Sequence, residues 1–173
     1  MIFMDFETTG LNSPSAANLA LQPRIIEIGA VKVDEHFNEV AVFTELINPE
    51  VPLTSEITRI TSIQQHDLDG KRTFRVVVTE VAEFFLGERT LVGHNLEFDL
   101  SVLHHELRRT GWERRFPFPP EQICTVDGSL HIKGHRLKLT ELYALTTQRT
   151  LHQTHRALDD VRALVECFRG MIK

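Results

Sequence analysis

With 173 residues, 42% hydrophobic and 25% charged, the chain suits one soluble globular domain around a single core, and its composition argues against disorder, repeats and low-complexity segments. The formal net charge of −5 excludes a surface that is basic all over and binds polyanions indiscriminately, but it leaves local basic clusters at Arg108-Arg109, Arg114-Arg115 and Lys133-Gly-His-Arg-Leu-Lys138. No stretch has the length of a membrane span and no basic leader opens the chain. Cys124 and Cys167 are far apart and suit neither a disulfide framework nor a structural zinc site, so a reducing cytoplasm is expected.

The chain opens with Met1-Ile-Phe-Met-Asp-Phe-Glu-Thr-Thr-Gly10. Ile2, Phe3, Met4 and Phe6 predict a buried strand, and its two-residue repeat puts Asp5 and Glu7 on one face. Two carboxylates beside an apolar strand cost several kcal/mol unless a cation or hydrogen bonds compensate, so the pattern asks for a metal or for basic partners. Leu11 to Arg24 reads as a long loop. Ile25–Val33 and Glu39–Ile47 are β-rich and joined by a short hairpin connection, which predicts an antiparallel meander of three strands ended by Asn48-Pro49.

Short helices are expected after Ser55 and after Thr61, where Thr61 and Gln64 have capping-box spacing. Val77, Val81, Phe84 and Phe85 predict a helix stopped at Gly87, and Thr90–Gly93 a short strand. Phe98, Val102, Leu103 and Leu107 then mark a helix ending at Gly111, Ile123–Val126 a buried strand, Leu137–Leu145 a helix, and Arg156–Met171 a last helix facing inward through Leu158, Val161, Leu164 or Val165, and Phe168. Early strands sharing hairpins and late strands alternating with helices suit an α/β fold, a five-stranded mixed sheet with three antiparallel strands first and helices packed on it.

Two later stretches carry chemistry. His94-Asn-Leu-Glu-Phe-Asp99 lies at a strand end leading into a helix, where α/β sites form. Asp99 either looks back toward the strand ends or is a solvated carboxylate favoured by the helix dipole, with Asn95 as a cap. His155-Arg-Ala-Leu-Asp-Asp160 enters the last helix. Were both His155 and Asp160 helical they would point about 140° apart, whereas a loop position lets His155 swing over the site that Asp160 reaches. Asp159 competes with Asp160, and Asp160 has the inward spacing with Ala157 and Leu164.

In order and spacing, Asp5-Phe-Glu7-Thr-Thr-Gly, His94-Asn-Leu-Glu-Phe-Asp99 and His155 with Asp160 resemble the three motifs of the DEDDh 3′-to-5′ exonucleases, the family of the proofreading epsilon subunit of bacterial DNA polymerase III. Ile25-Ile-Glu-Ile-Gly-Ala-Val31 extends the resemblance, which covers nearly the whole chain, so residues 1–173 are expected to form a single exonuclease domain. The family implies a ribonuclease-H-like fold and hydrolysis from the 3′ end of DNA, with an exoribonuclease as the alternative.

By resemblance, Asp5, Glu7, Asp99 and Asp160 would hold two Mg²⁺ or Mn²⁺ ions and His155 would be the general base, together forming the catalytic set. The carboxylate oxygens suit these hard cations better than zinc. Thr8, Thr9, Ile60, His94, Asn95 and Phe98 are candidates for gripping the substrate, and Lys133 to Lys138 for tracking phosphates. Expected partners are a nucleic acid 3′ end, a DNA polymerase subunit or a second copy of the chain, and no membrane. The loop Leu11 to Arg24 is longer than the family's usual connection, and Thr58 and Arg59 stand where the family often carries His-Gly. A binding-only polymerase-accessory domain of the same fold has no use for clustered unpaired carboxylates, and a small-molecule phosphatase would make no ladder from a labelled oligonucleotide.

Overall fold

The computed structural model describes residues 1–15 and 18–172, so Ala16 and Ala17 of the long loop, and Lys173, lie outside the described residues. Ile2, Phe3 and Met4 are wholly shielded from solvent, as a strand apolar on both faces must be. This strand, β1 (Ile2–Thr8), is central in a five-stranded sheet of order β3-β2-β1-β4-β5, with β2 at Ile25–Val33, β3 at Glu39–Leu46, β4 at Thr90–Gly93 and β5 at Glu121–Cys124. β1 pairs antiparallel with β2, β2 antiparallel with β3, β1 parallel with β4 and β4 parallel with β5. This is the five-stranded mixed sheet expected from the strand and helix order, and the ribonuclease-H-like fold that the resemblance implies.

The helices are α1 (Ser55–Thr61), α2 (Gln65–Leu68), α3 (Phe74–Phe85), α4 (Leu96–Thr110), α5 (Thr125–Lys133), α6 (Leu139–Thr147) and α7 (Ala157–Met171). Because side chains alternate along β1, Ile2, Met4 and Phe6 join one core with α3 and α4, while Phe3 joins a second with α6 and α7. Asp5 and Glu7 share the face of Phe3, so they point toward the N-terminal end of α7. Among the described residues, no helix is long and apolar enough to cross a membrane.

Two local expectations are corrected and one open alternative is decided. The expected strand over Ile123–Val126 is shifted: β5 ends at Cys124, and Thr125 and Val126 open α5, a helix the periodicity did not reveal because its apolar Leu130 and Ile132 are exposed. The basic run Lys133–Lys138 therefore spans the last residue of α5 and its connection to α6. Thr61 is the last residue of α1, and the capping box lies one step on, Gln64 with Asp67, whose carboxylate accepts the Gln64 N–H at 2.7 Å. In α7 the inward residue is Leu164, with Val165 half-buried.

Candidate active site

Three devices bring the acidic residues together at the C-terminal end of β1. The first is on β2. Gly29 pairs with Asp5, and a Cβ there would lie 2.5 Å from the Ala157 carbonyl carbon and 2.7 Å from its oxygen, so the first turn of α7 rests directly on the β2 backbone. Two residues earlier, buried Glu27 accepts the Ala157 N–H at 3.0 Å and grips the Arg156 guanidinium, with Nη2 to Oε1 at 2.6 Å. A carboxylate at an otherwise unsatisfied helix N–H is a favourable cap, and here it fixes where α7 begins.

The second device is the segment before α7. His155 is in the loop and half-buried, with φ at +51°, a left-handed conformation that costs a non-glycine residue about 1–3 kcal/mol. Its neighbours hold it there: Gln153 Nε2 donates to Asp160 Oδ2 at 2.7 Å, Thr154 Oγ1 donates to Asp159 Oδ2 at 2.8 Å, and Arg156 is held by Glu27. Glu7, His155 and Asp160 are thereby brought together, each offering one donor atom within 4.8 Å of the others. Asp160 is buried and Asp159 exposed, the division expected from helical spacing.

The third device is the end of β4. The strand stops at Gly93, Asn95 turns the chain in a left-handed conformation at φ +66°, and α4 starts at Leu96. Asp99 in its first turn is buried, and its Oδ1 accepts the Phe6 N–H of β1 at 3.2 Å, so it is no solvated surface carboxylate. Asn95 does not cap with its side chain, whose Oδ1 accepts from Arg136 Nη2 at 3.2 Å.

The electrostatic consequence is strong. Desolvation, then repulsion from Asp99, Glu7 and Asp160, pushes Asp5 well above the carboxylate range. Desolvation pushes Glu7 to about 8, with Asp160 and Glu27 adding to the rise. Asp99 is pushed to about 8, chiefly by desolvation, and Asp160 is raised for the same reason. The nearby Arg156 lowers Glu7 only in part, since its charge is spent on Glu27. Glu7, His155 and Asp160 group their donor atoms, and Asp5, repelled by Asp99, Glu7 and Asp160, lies beside them, an oxygen-rich surrounding that suits hard divalent cations.

The six residues expected to grip substrate divide between two depressions. Thr8, Thr9, Ile60 and Phe98 line a cavity of about 450 Å³ next to Glu7, together with Leu11 and Ile57, which the sequence did not single out. Leu11 is 84% exposed on its rim. The Thr8 hydroxyl donates to the Gly10 carbonyl at 2.8 Å, and Thr9 Oγ1 accepts the Arg24 N–H at 2.9 Å, so both hydroxyls shape the turn. His94 and Asn95 instead line a separate groove of about 550 Å³ with Arg136, Lys138 and Gln153. Desolvation lowers His94 to about 4, and its Nδ1 lies 2.9 Å from Thr125 Oγ1, so it is neutral at physiological pH.

Sequence reading missed the roles of Glu27, Gly29 and Gln153; the first two lie in the Ile25–Val31 stretch, which reads as a strand and as part of the family resemblance. Arg109, counted as part of a basic cluster, serves the long loop. It pairs with buried Glu106 at 3.2 Å and donates to the carbonyls of Leu19, Gln22 and Pro23, while Glu106 accepts the Ile25 N–H. The loop beside the cavity is thus anchored to α4.

Comparison with known proteins agrees with this architecture. An exonuclease family model matches residues 2–168. The chain is 33% identical over 172 residues to the DNA polymerase III subunit epsilon of Treponema pallidum, covering 97% of this chain and 74% of that protein. It is 30% identical over 174 residues to the PolC-type DNA polymerase III of Caldanaerobacter subterraneus subsp. tengcongensis, covering 99% of this chain but only 11% of that much longer protein. Among solved structures, the nuclease domain of 3′hExo, described as a DEDDh family member bound to rAMP, superposes with a TM-score of 0.76 at 19% identity, covering 99% of this chain and 90% of that one. The chain belongs to the exonuclease family of nucleic-acid hydrolases.

Proposed function

We propose that this chain removes nucleotides one at a time from the 3′ end of DNA by metal-assisted hydrolysis. The observation that carries the reading is the convergence of Asp5, Glu7, Asp99, Asp160 and His155 at one strand end, between an apolar cavity and a basic groove. Asp5, Glu7, Asp99 and Asp160 would hold two Mg²⁺ or Mn²⁺ ions. When bound, the ions supply Lewis-acid stabilisation of the phosphate's charge and of the oxygen that leaves.

The protein's own residues do the rest. His155, in a loop and beside Glu7 and Asp160, accepts the proton of the attacking water through its ring nitrogen. The cavity lined by Leu11, Ile57, Ile60 and Phe98 takes the terminal base and sugar, its size falling in the range usual for small-molecule sites. Arg136 and Lys138 steer the phosphates of preceding nucleotides, contacts that position a strand without reading its sequence. Relatives named DNA polymerase III PolC-type and DNA polymerase III subunit epsilon support DNA as the substrate and a polymerase as a partner in the cytoplasm.

The test is digestion of 5′-labelled single-stranded DNA, duplex DNA and RNA with and without Mg²⁺. A Mg²⁺-dependent ladder that is faster on DNA is expected, with none from a folded Asp5→Ala variant. Comparable rates for Asp5→Ala and the native protein would remove the site assignment, and faster digestion of RNA would reverse the substrate assignment.

A further inference from the structure

The loop that carries His155 holds another side chain against the carboxylates. Gln153 is half-buried; its Nε2 donates a 2.7 Å hydrogen bond to Oδ2 of Asp160, and the same side chain lines the basic groove with Arg136 and Lys138. An aspartate in a helix's first turn has two side-chain torsions and two equivalent oxygens, so without a partner it presents its lone pairs in several ways. An amide donor removes that freedom. A lysine or arginine in this place would also neutralise the charge and compete with a cation, whereas glutamine is uncharged and orients the carboxylate without doing so. The donor's own position is defined, because Thr154 is tied to Asp159 and Arg156 to Glu27 on the same short segment.

Resting on the metal-dependent reading above, we propose that Gln153 is a positioning residue: by donating to Oδ2 it sets the Asp160 carboxylate in the orientation that meets a divalent cation shared with Glu7. Hydrogen-bond partners one layer behind a metal's ligands typically govern affinity in this way.

The experiment is isothermal titration of the metal-free protein with Mn²⁺ alone, for the native chain, Gln153→Ala and Gln153→Met. Methionine keeps the length and bulk and removes the donor. Both variants are expected to weaken Mn²⁺ binding by about 10- to 100-fold. The Mn²⁺ concentration for half-maximal digestion should rise in parallel, and saturating Mn²⁺ should recover most of the digestion, which loss of a substrate contact or of folding would not allow. Native affinity in Gln153→Met with loss only in Gln153→Ala would mean that the side chain merely fills space and would overturn the proposal. Native affinity in both variants would overturn it too and leave the metal reading standing. A native protein that binds no Mn²⁺ would overturn both.

Discussion

Replacing Gly29 with alanine tests the link between the β2 backbone and the site, because the substitution touches no residue assigned to chemistry. The added Cβ would sit 2.5 Å from the Ala157 carbonyl carbon, 2.6 Å from the Leu158 nitrogen and 2.7 Å from the Ala157 oxygen. All three are backbone atoms and no flexible side chain can give way. Reaching ordinary contact requires the start of α7 to retreat by roughly 0.9 Å, and close-packed interiors transmit such a shift rather than absorb it. Overpacking of this kind costs about 1–3 kcal/mol. The retreat also stretches the Ala157 N–H bond to Glu27 and carries Asp160 away from Glu7, and a misplacement of about 1 Å is worth on the order of 10²-fold in rate. Urea unfolding reads the stability, and Mg²⁺-dependent digestion of a 5′-labelled oligonucleotide, at a temperature where the variant remains folded, reads the rate. A variant with native stability and native rate would refute the reasoning, since α7 would then not be seated on β2 at this distance.

Three other outcomes follow from the site. His155→Ala should lower the rate by about 10²–10⁴-fold while Mn²⁺ affinity is retained; a parallel loss of affinity would make His155 a ligand instead of a base. In the metal-free protein Glu7 and Asp99 lie at about 8, above their ordinary values of 4.5 and 3.8, so the folded state binds more protons than the unfolded chain between those values. Stability of the metal-free protein should therefore be highest at the acidic end of this window and fall as pH rises through it, and Mg²⁺ should raise the melting temperature more at pH 8 than at pH 5. A melting temperature that climbs with pH without metal would contradict the buried acidic cluster. Replacing Arg136 and Lys138 by alanine should raise KM for long oligonucleotides and flatten the salt dependence by about one unit of slope per lost phosphate contact, and an unchanged slope would take the groove off the substrate's path.

Much of this was legible in the residues themselves. Ile2, Phe3, Met4 and Phe6 announce a central strand because only a strand apolar on both faces sits between two layers of helices. The two-residue repeat alone puts Asp5 and Glu7 on one side, and helical spacing alone makes Asp160 rather than Asp159 the inward residue. α5 was not legible, because exposed Leu130 and Ile132 blur the periodicity on which a helix assignment depends.

What the sequence determined, then, is which residues carry charge and which face of an element each occupies, since these follow from local periodicity. Tertiary structure decided the distances between elements. That His155 stands in a left-handed loop beside Glu7 depends on Glu27 and Gly29 of β2 setting where α7 begins, about 130 positions earlier in the chain. The division of Thr8, Thr9, Ile60 and Phe98 from His94 and Asn95 depends on which hollow each strand end opens into. Contacts between such distant segments arise from packing, and packing leaves no periodic trace in the order of the residues.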